Sequence, residues 1–249
     1  MFYNKALKIK EKILGEVHPY TATSYNCIGN VYVSLGNYDK ALEYFNNALK
    51  IREKILGEEH PNTATSYNDI GNVYGRLRNY DKALEYFNNA LKIREKILGD
   101  EHQDTAASYN NIGSVYGRLG NYDKELVYFN KALMVKEKIL GEEHPYTATS
   151  YNCIGNVYVS LGNYDKALEY FNNALKIREK IFGEEHPNTA TSYNDIGNVY
   201  GRLGDYSKAL EYYNKALNII EKIFGKEHSK TQALKKKIEL VKEKMGEKK

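Results

Sequence analysis

The sequence predicts an all-α protein, built as a solenoid of stacked helical hairpins, and its internal period carries this prediction. A Gly and a His recur together every 42 residues along the chain, from Gly15 and His18 to Gly225 and His228. Within each period, apolar residues recur at steps of three and four, which is typical of amphipathic helices. A single hairpin cannot bury both of its apolar stripes, so neighbouring hairpins must stack into a solenoid.

Five full repeats follow from this period, and a partial repeat stands at each end. We place the full repeats at residues 18–59, 60–101, 102–143, 144–185 and 186–227. Residues 1–17 are interpreted as the second helix of a partial repeat, and residues 228–249 as a C-terminal capping helix. Repeats one and four are identical except that Leu56 corresponds to Phe182, which indicates a duplicated block of three repeats.

Each repeat predicts two helices separated by a tight turn. In repeat one, Gly36 supplies a left-handed stop and Asn37 is a good N-cap, while repeat five has Gly204 and Asp205 there. Repeat two has Arg78 in place of this glycine, which we expect to cost about 1 kcal/mol in a left-handed turn. The predicted apolar stripes are Tyr25, Ile28, Val31, Tyr32 and Leu35 in the first helix, and Leu42, Phe45, Ala48, Leu49 and Ile55 in the second.

The composition argues against several classes of protein. No stretch approaches the length of a membrane span, and the first residues lack the apolar core of a secretory signal. Two cysteines are too few for a disulfide framework, so we expect a reducing, cytoplasmic location. The net charge is +4, but residues 226–249 hold nine Lys against four Glu, which leaves the repeats close to neutral. A near-neutral body argues against nucleic-acid binding.

Residues that often carry catalysis recur here without predicting a site. One His per repeat would lie roughly 10 Å from the next across packed helices, whereas a metal ion needs several ligands around one point. Cys27 and Cys153 occupy equivalent positions three repeats apart, and no His is placed to activate either thiol. The sequence has no glycine-rich phosphate loop. We therefore expect no enzymatic activity, no cofactor and no metal.

The spacing of small and aromatic residues resembles the tetratricopeptide repeat family. The pattern Tyr25-x2-Ile28-Gly29-x2-Tyr32, followed by Ala41, Phe45 and Ala48, recurs in all five repeats and is similar to that family's consensus. It departs only at Glu125, which replaces the first Ala in repeat three, and at Tyr213, which replaces Phe in repeat five. The 42-residue length resembles the variety found in kinesin light chains. The resemblance implies a right-handed superhelix that binds a peptide or partner protein in its concave groove.

Polar residues on the first helices are the candidate binding residues. Asn is a poor residue for a helix interior, so its repetition there is a propensity cost that packing does not require. The first rank is Asn26, Asn68, Asn110, Asn152 and Asn194, and the second rank, four residues on, is Asn30, Asn72, Ser114, Asn156 and Asn198. Further along lie Arg76, Arg118 and Arg202. In the family these positions line the groove, and the first rank resembles the asparagine ladder with which kinesin light chains hold peptide backbone.

Several alternatives stay open at this point. The asparagines could bond across neighbouring repeats and only stiffen the array. The chain could be a structural spacer, or a rod that associates end to end through its uncapped first helix, and an RNA-binding solenoid is the third reading. The lysine-rich last helix is interpreted as a solvating cap, with a basic surface that attracts membrane or nucleic acid as the alternative.

Overall fold

The computed structural model describes residues 2–246, with side chains from residue 5 onward. Within that range the chain forms twelve α-helices and no β-strand. Their bounds are α1 Phe2–Leu14, α2 Pro19–Ser34, α3 Tyr38–Leu56, α4 Pro61–Arg76, α5 Tyr80–Leu98, α6 Gln103–Arg118, α7 Tyr122–Leu140, α8 Pro145–Ser160, α9 Tyr164–Phe182, α10 Pro187–Leu203, α11 Tyr206–Phe224 and α12 Ser229–Gly246.

Helices of two lengths alternate along the chain and pack as hairpins. The first helix of a full hairpin has 16 residues, as in α2 and α4, or 17 in α10, and the second has 19, as in α3 and α5. The molecule divides into two compact units, an N-terminal unit that ends at Val135 and a C-terminal unit that begins at Lys136.

The recurring histidines are helix caps. The Nδ1 atom of His60 accepts a hydrogen bond from the backbone N–H of Asn62 at 3.0 Å, which satisfies one of the free donors at the start of α4. The same bond is made by His18, His102, His144, His186 and His228. The sequence placed these residues at helix entries, and the structure adds the bond that each imidazole makes there.

The turns inside the hairpins follow the predicted chemistry. Gly36 has φ +71° and Gly204 has φ +79°, the left-handed conformation expected of a helix stop. Asn37 and Asp205 cap the helices that follow, by accepting from the N–H groups of Lys40 and Lys208. Arg78 also adopts positive φ, at +60°, and is alone in this among the non-glycine residues of the described range. The predicted strain at Arg78 therefore has its conformational basis.

Each hairpin closes on a contact between a glycine and an aromatic ring. A Cβ atom built on Gly71 would lie 2.8 Å from Cδ1 of Phe87, closer than any side chain tolerates. Gly29 is likewise pressed against the ring of Phe45, and Ala41 is fully buried beside that ring. The small residues therefore let the two helices approach closely.

Three residues of the predicted apolar stripes are exposed instead of buried. Val31 is 37% exposed because α2 follows only the single helix α1, whereas its counterpart Val73 is buried against the hairpin α2–α3. Leu35 is 72% exposed because it lies at the C-terminal cap of α2, at the tip of the hairpin. Ile55 is exposed near the end of α3, which outreaches its shorter partner, and Ile51 is buried in its place.

Side-chain hydrogen bonds join each hairpin to the next. Between α3 and α4, Arg52 donates to Ser66 Oγ at 2.6 Å, Tyr67 donates to Glu53 at 2.8 Å, and Thr63 donates to the carbonyl oxygen of Gly57 at 2.8 Å. Burial and the bond to Glu53 raise the pKa of Tyr67. Equivalent bonds recur at the later junctions within each unit, for example from Arg94 to Ser108 at 2.7 Å. These bonds orient one hairpin on its neighbour more specifically than apolar contact alone.

The two terminal helices differ in how well they are covered. On α1, Leu7 is buried, but Ile9 and Ile13 are 57% and 72% exposed. On α12, Leu234, Ile238 and Val241 are buried against the preceding hairpin, as the predicted cap requires. None of the helices in the described part of the chain combines the length and the apolarity needed to cross a membrane.

Glu125 occupies the place of the small residue in the third hairpin. A Cβ atom on Gly117 would lie 2.3 Å from Oε1 of Glu125, so the carboxylate occupies the space beside this glycine that a side chain would otherwise fill. The side chain is half-buried, and burial raises its pKa to about 7. The departure from alanine at this position therefore places an ionisable group inside a hairpin.

Replacing Arg78 by Gly should raise the free energy of unfolding by about 1 kcal/mol, since glycine adopts the left-handed conformation without the Cβ clash. Urea unfolding followed by circular dichroism measures this difference. The reverse change in the next turn, Gly120→Arg, should lower stability by a similar amount, because Gly120 has φ +74°. An R78G variant no more stable than the wild type would contradict the assignment of strain.

Glu125→Ala should stabilise the protein more at pH 8 than at pH 5. A raised pKa in the folded state means that the folded chain holds a proton which the unfolded chain has released. The wild type therefore loses stability as the pH rises from about 4.5 through about 7. Because the carboxylate is partly solvated, we expect this loss to be about 1 kcal/mol.

Thermal unfolding of the wild type and Glu125→Ala across this pH range gives the difference. The pKa values of Asp69 and Asp195 are also raised by burial, so only the difference between the two proteins reports on Glu125. Parallel pH profiles for the two proteins would show that Glu125 is not the titrating group.

Candidate functional site

The first-rank asparagines are half-buried and bond to the next hairpin. Asn68 Oδ1 accepts a hydrogen bond from Asn111 Nδ2 at 2.7 Å, across a separation of 43 residues. In the C-terminal unit, Asn194 Oδ1 accepts from Lys237 Nζ at 2.8 Å across the same separation. In both units the bonding partner therefore lies on the next first-type helix, one residue after the position that is equivalent to the asparagine.

The same register holds where the partner is a carboxylate. Asn26 donates to Asp69, and Asn152 donates to Asp195. Burial raises the pKa of both carboxyl groups, while the asparagine bond and a nearby arginine oppose the rise. Oδ1 of Asn152 also accepts a hydrogen bond from Arg178 at 3.3 Å, whereas the equivalent Arg52 donates to Asn62 and Ser66. Oδ1 of Asn26 therefore stays buried with no hydrogen-bond partner among the described residues. The first rank thus belongs in large part to the contacts between hairpins, and Asn110 is half-buried like the others.

The second-rank residues face outward. Asn30, Asn72, Ser114 and Asn156 are exposed on their helices. Asn198 is half-buried, because its Oδ1 accepts from Tyr213 Oη at 2.9 Å and from Lys237 Nζ at 2.9 Å. Four of the five second-rank side chains can therefore be reached by a ligand without breaking a bond between hairpins.

The N-terminal unit has a concavity of about 520 Å³ that collects predicted residues of both kinds. Its polar lining comprises the second-rank residues Asn72 and Ser114, and the predicted Arg76 and Arg118. Arg78, Asn111 and Tyr38 complete its polar wall. We call this surface the N-terminal concavity.

The C-terminal unit has a larger concavity, of about 650 Å³. It contains Asn156, Asn198 and Arg202 among the predicted residues. Asp195, Lys237 and Lys244 also line it, together with the apolar side chains of Val159, Phe171, Leu240 and Val241. We call this surface the C-terminal concavity.

The two concavities differ in charge. Three guanidinium groups and no carboxylate line the N-terminal concavity, whereas the C-terminal concavity combines Asp195 with Arg202 and two lysines. Neither concavity is lined by the first-rank residues Asn26, Asn68, Asn110 and Asn152, and Asn194 lies instead in a smaller apolar cleft beside α12. The structure therefore brings the second rank and the arginines together and separates the first rank from them.

The sequence did not single out two residues of these surfaces. For Arg78 the sequence predicts only strain in a turn, and for Lys237 only a place on the C-terminal capping helix. The signal for Arg78 was the break in the glycine pattern, since a charged residue in a left-handed turn needs a reason beyond folding. Lys237 had no such signal, because the other repeats fill its position with Cys, Asp or Asn, and no single residue type is expected there.

The remaining candidates for chemistry are spread along the chain. Within residues 5–246, no three His, Cys, Asp or Glu side chains gather in a way that could hold a metal ion. Cys27 is exposed and Cys153 is half-buried. The imidazoles, as described above, are engaged by their Nδ1 atoms in helix caps.

Several solved structures share this fold over most of the length of the chain. BtubC (BKLC) from P. vanneervenii aligns with a TM-score of 0.77 and 24% identity, over 90% of this chain and 88% of that one. A second structure is that of a Podosopora anserina protein designated a kinesin light chain, with nearly identical TPR-like repeats. It aligns with a TM-score of 0.74 and 23% identity, over 83% of this chain and 98% of that one.

A third similar structure is a signal transduction ATPase with a tetratricopeptide repeat sensor, from Pyrococcus horikoshii. It aligns with a TM-score of 0.68 and 25% identity, over 88% of this chain but only 31% of that one. These likenesses confirm the predicted solenoid of kinesin-light-chain-like repeats.

The family assignment rests on the sequence model of the tetratricopeptide repeat, which matches residues 20–96, 70–138 and 146–222. No curated protein sequence matches the chain significantly. Since the three matches together span well over half of the chain, the protein belongs to the tetratricopeptide repeat family.

Proposed function

We propose that the protein is a binding module that holds an extended peptide, or an extended segment of a partner protein, along the first helices of its hairpins. Tetratricopeptide repeats generally mediate interactions between proteins. The observation that carries the proposal for this chain is the lining of the two concavities. In each of them, second-rank residues lie beside an arginine that was predicted from the same helix.

The chemistry of the second rank suits a peptide backbone. An extended chain presents N–H and C=O groups in alternation, and an asparagine side chain offers both a donor and an acceptor. Asn72 and Ser114 are exposed in the same concavity, one on α4 and one on α6. A backbone that crosses from one first helix to the next would therefore meet a polar partner on each.

The first rank has a different part in this proposal. Its amides fix the register of one hairpin on the next, through bonds such as Asn111 to Asn68. The two alternatives raised by the sequence are then divided between the ranks: the first rank stiffens the array, and the second rank binds. The arginines add attraction for acidic groups of the ligand.

A spacer or self-associating rod is the second candidate, and the exposed apolar face of α1 favours it. Ile9 and Ile13 leave more than half of their surface uncovered. Light scattering of the purified chain distinguishes the candidates. A mass that grows with concentration and reverts in an Ile9→Lys, Ile13→Lys variant would favour the rod over the binding module.

The double variant Asn72→Ala, Ser114→Ala should bind selected peptides about tenfold more weakly, because each substitution removes hydrogen bonds to the ligand. The probes are random peptides selected by display on the wild type, and fluorescence anisotropy measures their affinity. The matched control is Asn88→Ala, Asn89→Ala, since both asparagines are exposed on α5 and line neither concavity. Equal loss in both double variants, or in neither, would overturn the proposed site.

The two ranks should also separate in stability. Asn68→Ala should lower the free energy of unfolding by about 1 kcal/mol, because it leaves the half-buried Asn111 amide without its acceptor. Asn72→Ala should raise it by about 0.5 kcal/mol, since alanine has the better helix propensity at an exposed site. Urea unfolding measures both changes. A loss of stability in Asn72→Ala would show that the second rank is structural as well.

A further inference from the structure

Arg78 combines backbone strain with a place in the N-terminal concavity. Its φ of +60° lies in the region that favours glycine, and glycine occupies the corresponding turn of the neighbouring hairpins, at Gly36 and Gly120. Arg78 lines the same surface as Arg76 and Arg118. An arginine kept where glycine would fold better indicates a use for its guanidinium group.

The three guanidinium groups of this surface have no anionic partner among the side chains that the structure describes. Among residues 5–246, none of Arg76, Arg78 and Arg118 takes part in a salt bridge or a side-chain hydrogen bond, and all three are exposed. Other arginines of the same unit are engaged: Arg52 donates to Ser66, and Arg94 to Ser108. The arginines of the concavity are therefore available to a ligand.

The concavity also lacks a carboxylate that its counterpart has. Asn111 lines it at the position where the C-terminal concavity has Asp195, two repeats further along the chain. Relative to that counterpart, the N-terminal concavity has lost one negative charge. Arg78 has added one positive charge where the C-terminal unit has glycines at positions 162 and 204. Both differences make the N-terminal concavity more positive.

A cluster of this kind matches a dianionic group better than a single carboxylate. A phosphorylated side chain carries close to two negative charges and three acceptor oxygens at neutral pH. Guanidinium groups present paired N–H donors that fit phosphate oxygens, and several of them can act on one phosphate. Asn72, Ser114 and Tyr38 add uncharged donors around the same space.

We propose that the N-terminal concavity is a subsite for a phosphorylated side chain of the peptide ligand, contacted by Arg76, Arg78 and Arg118. This inference rests on the proposed peptide-binding function and adds to it the chemical class of the ligand. The C-terminal concavity, with its mixed charges, has no such preference. Phosphorylation of the partner would then control whether it binds.

The test compares three immobilised libraries of degenerate peptides whose fixed central residue is phosphoserine, serine or glutamate. The wild type should bind the phosphoserine library about tenfold more tightly than the other two, because added charge-assisted hydrogen bonds are formed with phosphate alone. Arg78→Gly should lose most of this preference. The matched control, Arg202→Ala in the C-terminal concavity, should keep it.

Arg78→Gly separates loss of a contact from loss of structure. It is expected to raise the midpoint of urea unfolding, so weaker binding by this variant cannot come from a damaged fold. A variant that is both more stable and weaker in phosphopeptide binding supports the proposal. A variant that binds phosphopeptides as tightly as the wild type overturns it.

The other outcomes also discriminate. If the wild type captures all three libraries equally, the phosphate subsite is wrong while the peptide-binding function stands. If it captures none of them, both proposals fail. A single-stranded oligouridine is the fourth probe: binding to it that Arg78→Gly abolishes would assign the cluster to RNA phosphates and overturn the peptide assignment.

Discussion

The contact between a glycine of the first helix and an aromatic ring of the second is the constraint on which the rest of the structure depends. It recurs between Gly71 and Phe87 and between Gly197 and Tyr213, at distances that exclude any side chain larger than hydrogen. The polar residues of the first helix lie beside this contact, since Asn72 directly follows Gly71 and Phe87 itself lines the N-terminal concavity. In the last hairpin one residue takes part in both, since the ring of Tyr213 packs against Gly197 and its hydroxyl donates to Asn198.

The sequence was sufficient for the fold because each hairpin is specified by local signals. The glycine turns and the asparagine caps follow from residue type and spacing, and both are found in the structure. The errors arose where burial depends on a neighbour. Val31 has the same residues around it in sequence as the buried Val157, and it is exposed only because a single helix precedes its hairpin. Periodicity along one helix holds no information about what packs against it.

The candidate site was predicted less completely, for a related reason. Spacing placed both asparagine ranks on the first helices, but it could not tell a side chain that faces the next hairpin from one that faces solvent. That distinction depends on a partner 43 residues away, as with Asn68 and Asn111. The two ranks are four residues apart, which is one helical turn plus a small rotation about the helix axis. The first rank bonds between hairpins, whereas most of the second rank faces an open surface.

The repetition of hairpins gives the chain two surfaces built on one plan, and few substitutions make them chemically different. The positions of Phe87 and Ser114 in the N-terminal concavity are those of Phe171 and Asn198 in the C-terminal one, so the frame is shared. The charges are not shared, because Asn111 stands for Asp195 and Arg78 stands for a glycine. A solenoid tolerates such changes since each side chain contacts only its own and adjacent hairpins. The strain at Arg78 therefore lowers the stability of its own turn only, and the repeated contacts elsewhere keep the array folded. The N-terminal concavity can in this way differ chemically from its counterpart.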